Sequence, residues 1–77
     1  MYKTKNEMII SEIYEALQEK GYNPAFQLVG YILSEDPTYI TDHKGARAMA
    51  TKLDRDALLL EMVTEYIGKN SELRIAV

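Results

Sequence analysis

Residues 21–37 read GYNPAFQLVGYILSEDP, and this stretch decides the fold because it holds two signals that start helices. At Asn23-Pro24 the asparagine oxygen can accept from free backbone amides, and proline at the first helical position loses no hydrogen bond. Asp36-Pro37 repeats the same chemistry. The apolar run between the two signals predicts a helix from residue 24 to about residue 33 that is buried on most faces.

A first helix is predicted before this stretch, over about residues 6–20. Ile9, Ile13 and Leu17 recur there at four-residue spacing, while glutamates occupy the other faces. Asn6 or Thr4 can cap its start, and glycine just past its end suits the left-handed conformation that often closes a helix.

Two more helices are predicted after the stretch, beyond a short turn that begins at Pro37. The third covers about residues 43–53, and the last covers about residues 55–67, capped by Asp54 and closed by Gly68. The predicted fold class is all-α: a compact bundle of four to five short helices that contains a helix-turn-helix-like element and forms an intimate homodimer.

The length of 77 residues predicts a single helical domain over residues 1–77, with a core over about 6–68 and a flexible or partner-docked tail over 69–77. So small a domain is marginal alone, and the chain has no cysteine for a disulfide. Self-association is the stabilising device that remains. Gly30, in the middle of the second helix, predicts that another helix approaches closely there.

The second and fourth predicted helices carry more apolar residues than one small core requires. This surplus predicts that two copies of the chain share one core. The predicted dimer interface comprises Leu28, Tyr31, Ile32, Leu58, Leu59, Met62 and Tyr66.

The net charge of −3 argues against indiscriminate binding to nucleic acid or anionic lipid. Between two acidic segments, however, lies a basic segment, residues 43–55, whose basic side chains are Lys44, Arg47, Lys52 and Arg55. They either pair with the acidic segments within the fold or across a dimer, or contact an acidic or phosphorylated partner.

A DNA-binding regulator of the helix-turn-helix type is the alternative function, with Lys44, Arg47 and Thr51 on an exposed face of the third helix. The net acidity opposes it. The connection between the second and third helices, at about eight residues, is also longer than the three or four of the usual motif.

Catalysis, metal binding and cofactor binding are not predicted. His43 is the only histidine and there is no cysteine, so no Cys/His cluster can form. The four glycines stand far apart, which excludes a phosphate-binding loop. The chain has neither a membrane-length apolar stretch nor a secretion signal, which predicts a cytoplasmic protein whose partners are itself and another protein.

Several motifs at fixed spacing resemble one protein family. They are Glu19-Lys20-Gly21-Tyr22-Asn23-Pro24, Gln27-Leu28-Val29-Gly30-Tyr31, Ser34-Glu35-Asp36-Pro37-Thr38-Tyr39-Ile40, Ala46-Arg47, Lys52-Leu53-Asp54-Arg55-Asp56 and Glu61-Met62-Val63. Over about residues 7–68 the chain strongly resembles the IreB-type regulatory phosphoproteins of Gram-positive bacteria. The resemblance implies a small all-helical cytoplasmic homodimer without catalytic activity. It also implies a regulator downstream of a membrane-anchored Ser/Thr kinase that monitors the cell wall; the best-known type restrains intrinsic cephalosporin resistance.

The chain departs from the family's usual pattern at a few positions. The family carries an N-terminal extension with the threonines that the kinase modifies, and this chain is expected to start after it, so Thr4 does not inherit that role. Glu35 stands where the family usually has glycine and Thr41 where it has proline, so the connection there is expected to differ in shape. Ala57 and Leu60 replace usual glutamates, which predicts a more apolar fourth helix.

Overall fold

The computed structural model describes residues 4–69, and every regular element in that range is a helix. The elements are α1 (Lys5–Glu19), α2 (Pro24–Ser34), a 3₁₀ turn (Pro37–Tyr39), α3 (Ala46–Ala50) and α4 (Arg55–Lys69). The predicted all-α class is confirmed, while the homodimer and the helix-turn-helix-like element stay predictions. The tail predicted over 69–77 lies outside the described residues from position 70 onward.

The predicted helix-start signals act as N-caps. Each capping side chain accepts a hydrogen bond, at 3.0–3.2 Å, from the backbone N–H two or three residues further on. Of the two candidates at the start of α1, the cap is Thr4. The capping residues are Thr4, Asn23, Asp36 and Asp54.

The core lies between α1, α3 and the segments that follow α2 and α3. Ile13, Leu17 and Ile40 are completely buried, and α3 contributes two alanines whose small side chains let its backbone approach α1. The buried apolar residues are Ile9, Ile13, Ala16, Leu17, Tyr31, Ile40, Ala46, Ala50 and Leu53.

Two pairs of hydrogen bonds tie distant parts of the chain together. The Nδ2 of Asn6 donates to the carbonyl of Asp54 at 2.9 Å, and its Oδ1 accepts from the N–H of Asp54 at 3.0 Å. The Nε2 of Gln27 donates to the Oγ1 of Thr41 at 3.0 Å, and its Oε1 accepts from the Thr41 N–H at 2.8 Å. The first pair joins the start of α1 to the start of α4, and the second joins α2 to the segment before α3.

The prediction of a third helix over residues 43–53 is wrong in its extent. Lys44 and Gly45 have φ values of 53° and 74°, and the left-handed conformation cannot continue into a right-handed helix. Helix α3 therefore begins only at Ala46 and ends at Ala50. Helix α4 passes the predicted closing residue, Gly68, and ends at Lys69.

The prediction that α2 is buried on most faces is wrong within one chain. Tyr31 is its buried residue, whereas Phe26 and Leu33 are 78% and 80% exposed. The close approach predicted at Gly30 exists, but it comes from the 3₁₀ turn rather than from another helix. A Cβ added at Gly30 would lie 2.7 Å from Cδ1 of Tyr39, so the ring would have to shift to admit any larger residue.

Candidate protein-interaction site

Helix α4 lies on the outside of the described chain, and none of its residues is buried. Leu58 packs partly against the core, but Leu60 is 70% exposed and Val63 55%. Four further large apolar residues of α4 are also exposed, namely Leu59, Met62, Tyr66 and Ile67. Apolar surface that is contiguous and exposed commonly indicates a protein interaction site.

Helix α2 exposes a second apolar row. Phe26, Val29 and Leu33 recur at the three- and four-residue spacing that places side chains on one helix face, and all three are exposed. Gln27 and Tyr31 lie on the opposite side, where they reach Thr41 and the core. The helix therefore has an inner face that holds it to the fold and an outer face without cover in the described chain.

The structure distributes the predicted dimer residues over three environments. Tyr31 is 5% exposed within the single chain, so its side chain is already covered. Three others pack partly against the core, and three are exposed on α4. The partly buried ones are Leu28, Ile32 and Leu58, and the exposed ones are Leu59, Met62 and Tyr66.

An apolar cavity of about 300 Å³ opens where α1, α2 and α4 meet. The described residues around it are all apolar: Ile10, Ala25, Leu28, Val29, Ile32, Leu58 and Met62. Four of the predicted dimer residues therefore surround one cavity. This arrangement suits an apolar side chain supplied from outside the described chain.

A second depression, the α1–α4 groove, has about 480 Å³ and combines an apolar floor with acidic side chains. Its apolar residues are Ile10, Tyr14, Leu58 and Met62, and its glutamates are Glu7, Glu61 and Glu65. None of the residues between 4 and 69 that line it is a lysine or an arginine. The groove therefore presents negative charge beside apolar surface.

The basic segment is largely engaged with the rest of the chain. The Nζ of Lys44 lies 2.9 Å from a carboxylate oxygen of Glu19, and the guanidinium of Arg55 donates to the carboxylate of Glu35. The hydrogen bond from Lys44 is the main cause that lowers the pKa of Glu19. The bond to Glu35 is likewise the main cause that raises the pKa of Arg55.

The other two members of the basic segment differ from each other. The Nε of Arg47 donates to the carbonyl of Ile40 at 3.0 Å, whereas Lys52 is exposed. Helix α3 has five residues, so Lys44 and Thr51 flank it rather than share a helical face with Arg47. An acidic partner or DNA would have to compete with contacts that Lys44, Arg47 and Arg55 make within the chain.

The described residues form neither a metal-binding cluster nor a membrane-spanning helix. Between residues 4 and 69, His, Asp and Glu form no group of three that could hold a metal ion. No helix in that range is long and apolar enough to cross a membrane. The exposed apolar faces and the α1–α4 groove are thus the candidate binding surfaces of the described chain.

A sequence model of the IreB regulatory phosphoprotein family matches residues 1–68. The chain belongs to the IreB family. The match covers every helix up to the next-to-last residue of α4, so the described fold is that of an IreB-family protein. A regulatory role follows from that membership.

Glu35 and Thr41, the two positions of the connection after α2 where the sequence resemblance implies a departure, both make side-chain contacts. Glu35 ends α2 with φ of 62°, a left-handed conformation that favours glycine, and its carboxylate pairs with Arg55. Thr41 exchanges two hydrogen bonds with Gln27 through its backbone N–H and its hydroxyl. Glycine at position 35 could not form the ion pair, and proline at position 41 could form neither hydrogen bond.

Sequence reasoning missed two parts of the candidate site. The outer row Phe26, Val29 and Leu33 was not singled out, because an almost wholly apolar helix gives no contrast between its faces. Glu61 and Glu65 were not assigned to a site either, because they share a groove with α1 only once the chain is folded. The polar side chains of Gln27 and Tyr31 are the signal that could have identified the inner face of α2.

Proposed function

We propose that this IreB-family protein acts in the cytoplasm as a homodimer that regulates a partner protein by binding it, without catalysing a reaction. We further propose that it is a negative regulator in a response to cell-wall stress that involves Ser/Thr kinase signalling. Membership of a family of regulatory phosphoproteins supports the regulatory role. The observation that carries the homodimer is the exposed apolar surface of α2 and α4.

The size of that surface supports self-association. Fully burying one large apolar side chain contributes about 1.5–3 kcal/mol, and α2 and α4 expose nine such residues, each at 42% or more. They are Phe26, Val29, Leu33, Leu59, Leu60, Met62, Val63, Tyr66 and Ile67. A symmetric dimer places the same patch of both copies together, so the surface of one chain can cover that of its partner.

The interface that we propose is centred on the predicted residues that remain accessible. Leu28, Ile32 and Leu58 form the walls of the apolar cavity, and Leu59 and Tyr66 continue the apolar surface along α4. Met62 also lines the cavity. Tyr31 contributes by holding α2 to the core rather than by direct contact.

A test in cells that carry the gene links dimer formation to regulation. We expect the double variant Leu59→Ser/Tyr66→Ser to give the same growth under a cell-wall antibiotic as deletion of the gene. Tyr22→Ser is the matched control, because Tyr22 is a 47% exposed aromatic residue in the loop between α1 and α2. Wild-type growth of the interface variant at normal protein level would contradict the proposal.

The link to a kinase needs a separate test. The protein is purified from cells grown with and without the antibiotic, and phosphate is located by mass spectrometry on the intact chain and on its peptides. We expect phosphate on a threonine or serine other than Thr4, with occupancy that changes under stress. Such a phosphate would alter binding because it adds nearly two negative charges to the surface. An unphosphorylated chain under both conditions would remove the kinase from the proposal.

A further inference from the structure

The α1–α4 groove differs from the apolar cavity beside it in its charge. Glu61 and Glu65 lie one turn apart on α4, and Glu7 of α1 lines the same groove. Like charges at this helical spacing disfavour each other. None of the described residues that line the groove is basic, and Lys5 and Lys52 line the adjoining depression on the other side of Glu61. A positively charged ligand would relieve this repulsion.

The floor of the groove supplies apolar contact next to those carboxylates. Ile10 and Leu58 are half-buried, and Met62 is 45% exposed. The volume of about 480 Å³ lies within the range of roughly 300–1,000 Å³ that is usual for binding pockets. Tyr14, 47% exposed at the edge, can stack its ring against a cationic side chain.

We propose that the α1–α4 groove binds a short cationic amphipathic segment of the regulated partner protein. Apolar side chains of that segment fill the floor, and its lysine or arginine residues pair with Glu61 and Glu65. This inference rests on the proposed function and specifies the chemistry of the partner that the protein regulates. Complementary charge selects the partner and speeds the encounter, while the apolar floor supplies most of the affinity.

Two other occupants fit the groove less well. A second copy whose two-fold axis passed through the groove would bring its own Glu61 and Glu65 against the same residues, so like charges would face each other. Residues 70–77 of this chain contain Arg74 but also Glu72, so their side chains offer no net positive charge. A cationic segment from another protein is complementary to the groove.

The position of the glutamates on α4 allows the groove and a dimer to coexist. Glu61 and Glu65 follow one face of the helix, whereas Leu59, Val63 and Tyr66 follow another, because residues four apart align and residues two apart do not. The groove and the apolar cavity share Ile10, Leu58 and Met62 at their common border. Substitutions of the glutamates can therefore separate the groove from the dimer surface.

The test uses a library of short random peptides displayed on phage and selected against the full chain. We expect selected peptides to contain two or more lysine or arginine residues beside apolar ones. Binding of the synthetic peptides is then measured by fluorescence anisotropy at low and high salt. We expect Glu61→Gln/Glu65→Gln to weaken binding about tenfold, the effect of about 1.4 kcal/mol in binding free energy, and to reduce its salt dependence.

The matched control is Glu12→Gln/Glu15→Gln, which removes the same charge from exposed positions of α1 outside the groove. We expect this variant to bind within about twofold of wild type, since distant surface charges are screened by salt. Circular dichroism of both variants checks the fold. Peptide binding by Tyr14→Ala tests the contact at the edge of the groove without a change of charge.

The proposal is overturned if no peptide is selected, if the selected peptides are not basic, or if both double variants weaken binding equally. The mass of Glu61→Gln/Glu65→Gln in solution is measured alongside. If this variant loses peptide binding while its mass is unchanged, the result supports binding in the groove whether or not the protein is a dimer. If wild type is a monomer and still binds peptide through Glu61 and Glu65, the homodimer proposal is contradicted and the groove proposal stands.

Discussion

Around α1 and α3, Ile13 and Leu17 are completely buried, whereas on α2 and α4 the leucines at 33 and 60 are 80% and 70% exposed. The side chains are of the same kind, so the difference comes from where each helix lies. The first region explains how one chain folds, because its apolar residues cover one another. The second region has apolar surface that the described chain does not cover, which is why its role is sought in contacts with other molecules.

The largest expected effect separates the two regions directly. Leu17→Ala should lower the free energy of unfolding by about 2–5 kcal/mol, because it leaves a cavity in a closed core. Leu33→Ala should change it by about 0.5 kcal/mol or less at low protein concentration, because that side chain is in water. Urea unfolding followed by circular dichroism measures both, and similar losses would contradict the division into two regions.

The next effect concerns how α4 is attached to the folded region. Asn6→Ala should lower the free energy of unfolding by about 1–3 kcal/mol, because it removes both hydrogen bonds between the buried Asn6 side chain and the backbone of Asp54. Gln27→Ala should lower the free energy of unfolding by a smaller amount, because Gln27 is more exposed than Asn6 and water can replace its hydrogen bonds. The same unfolding measurement applies, and a smaller loss for Asn6→Ala than for Gln27→Ala would show that the attachment is elsewhere.

A smaller effect tests the contact between α2 and the 3₁₀ turn. Alanine favours a helix interior by about 1 kcal/mol over glycine, but at position 30 its Cβ would overlap the ring of Tyr39. Gly30→Ala should therefore be neutral or destabilising in wild type and stabilising in Tyr39→Ala. A double-mutant cycle gives the coupling, and additive effects would mean that the ring does not restrict residue 30.

The smallest effect is expected at the left-handed end of α2. Glu35→Gly relieves the backbone conformation but loses the pair with Arg55, whereas Glu35→Gln loses only the charge. We expect Glu35→Gly to be more stable than Glu35→Gln by about 1 kcal/mol, since glycine adopts positive φ without penalty. Thermal unfolding in low salt compares the two variants. Equal stabilities would show that the backbone at residue 35 is not strained.

Local chemistry explains which parts of the fold could be predicted from the sequence. Asn23, Asp36 and Asp54 cap helices through contacts two or three residues away, so the starts of three elements followed from short motifs. The third helix was predicted too long because nothing in its apolar pattern indicates that Lys44, like Gly45, adopts a left-handed conformation.

The remaining features depend on residues that are distant in sequence. Asn6 was predicted only as a candidate cap, and its actual partner, Asp54, lies 48 residues away. The surplus of apolar residues on α4 was recognised from the sequence, and their exposure agrees with it. The α1–α4 groove was not predicted, because the glutamates of α4 become part of a site only when α1 is placed beside them.

We propose that a second copy covers the exposed apolar surface of α2 and α4. Sedimentation velocity of the full chain over a range of micromolar concentrations tests this most directly. We expect a mass twice the 8.8 kDa of one chain for wild type and for Tyr22→Ser. For Leu59→Ser/Tyr66→Ser we expect the mass of a single chain with unchanged helix content. A wild-type mass of one chain at every concentration would contradict the claim.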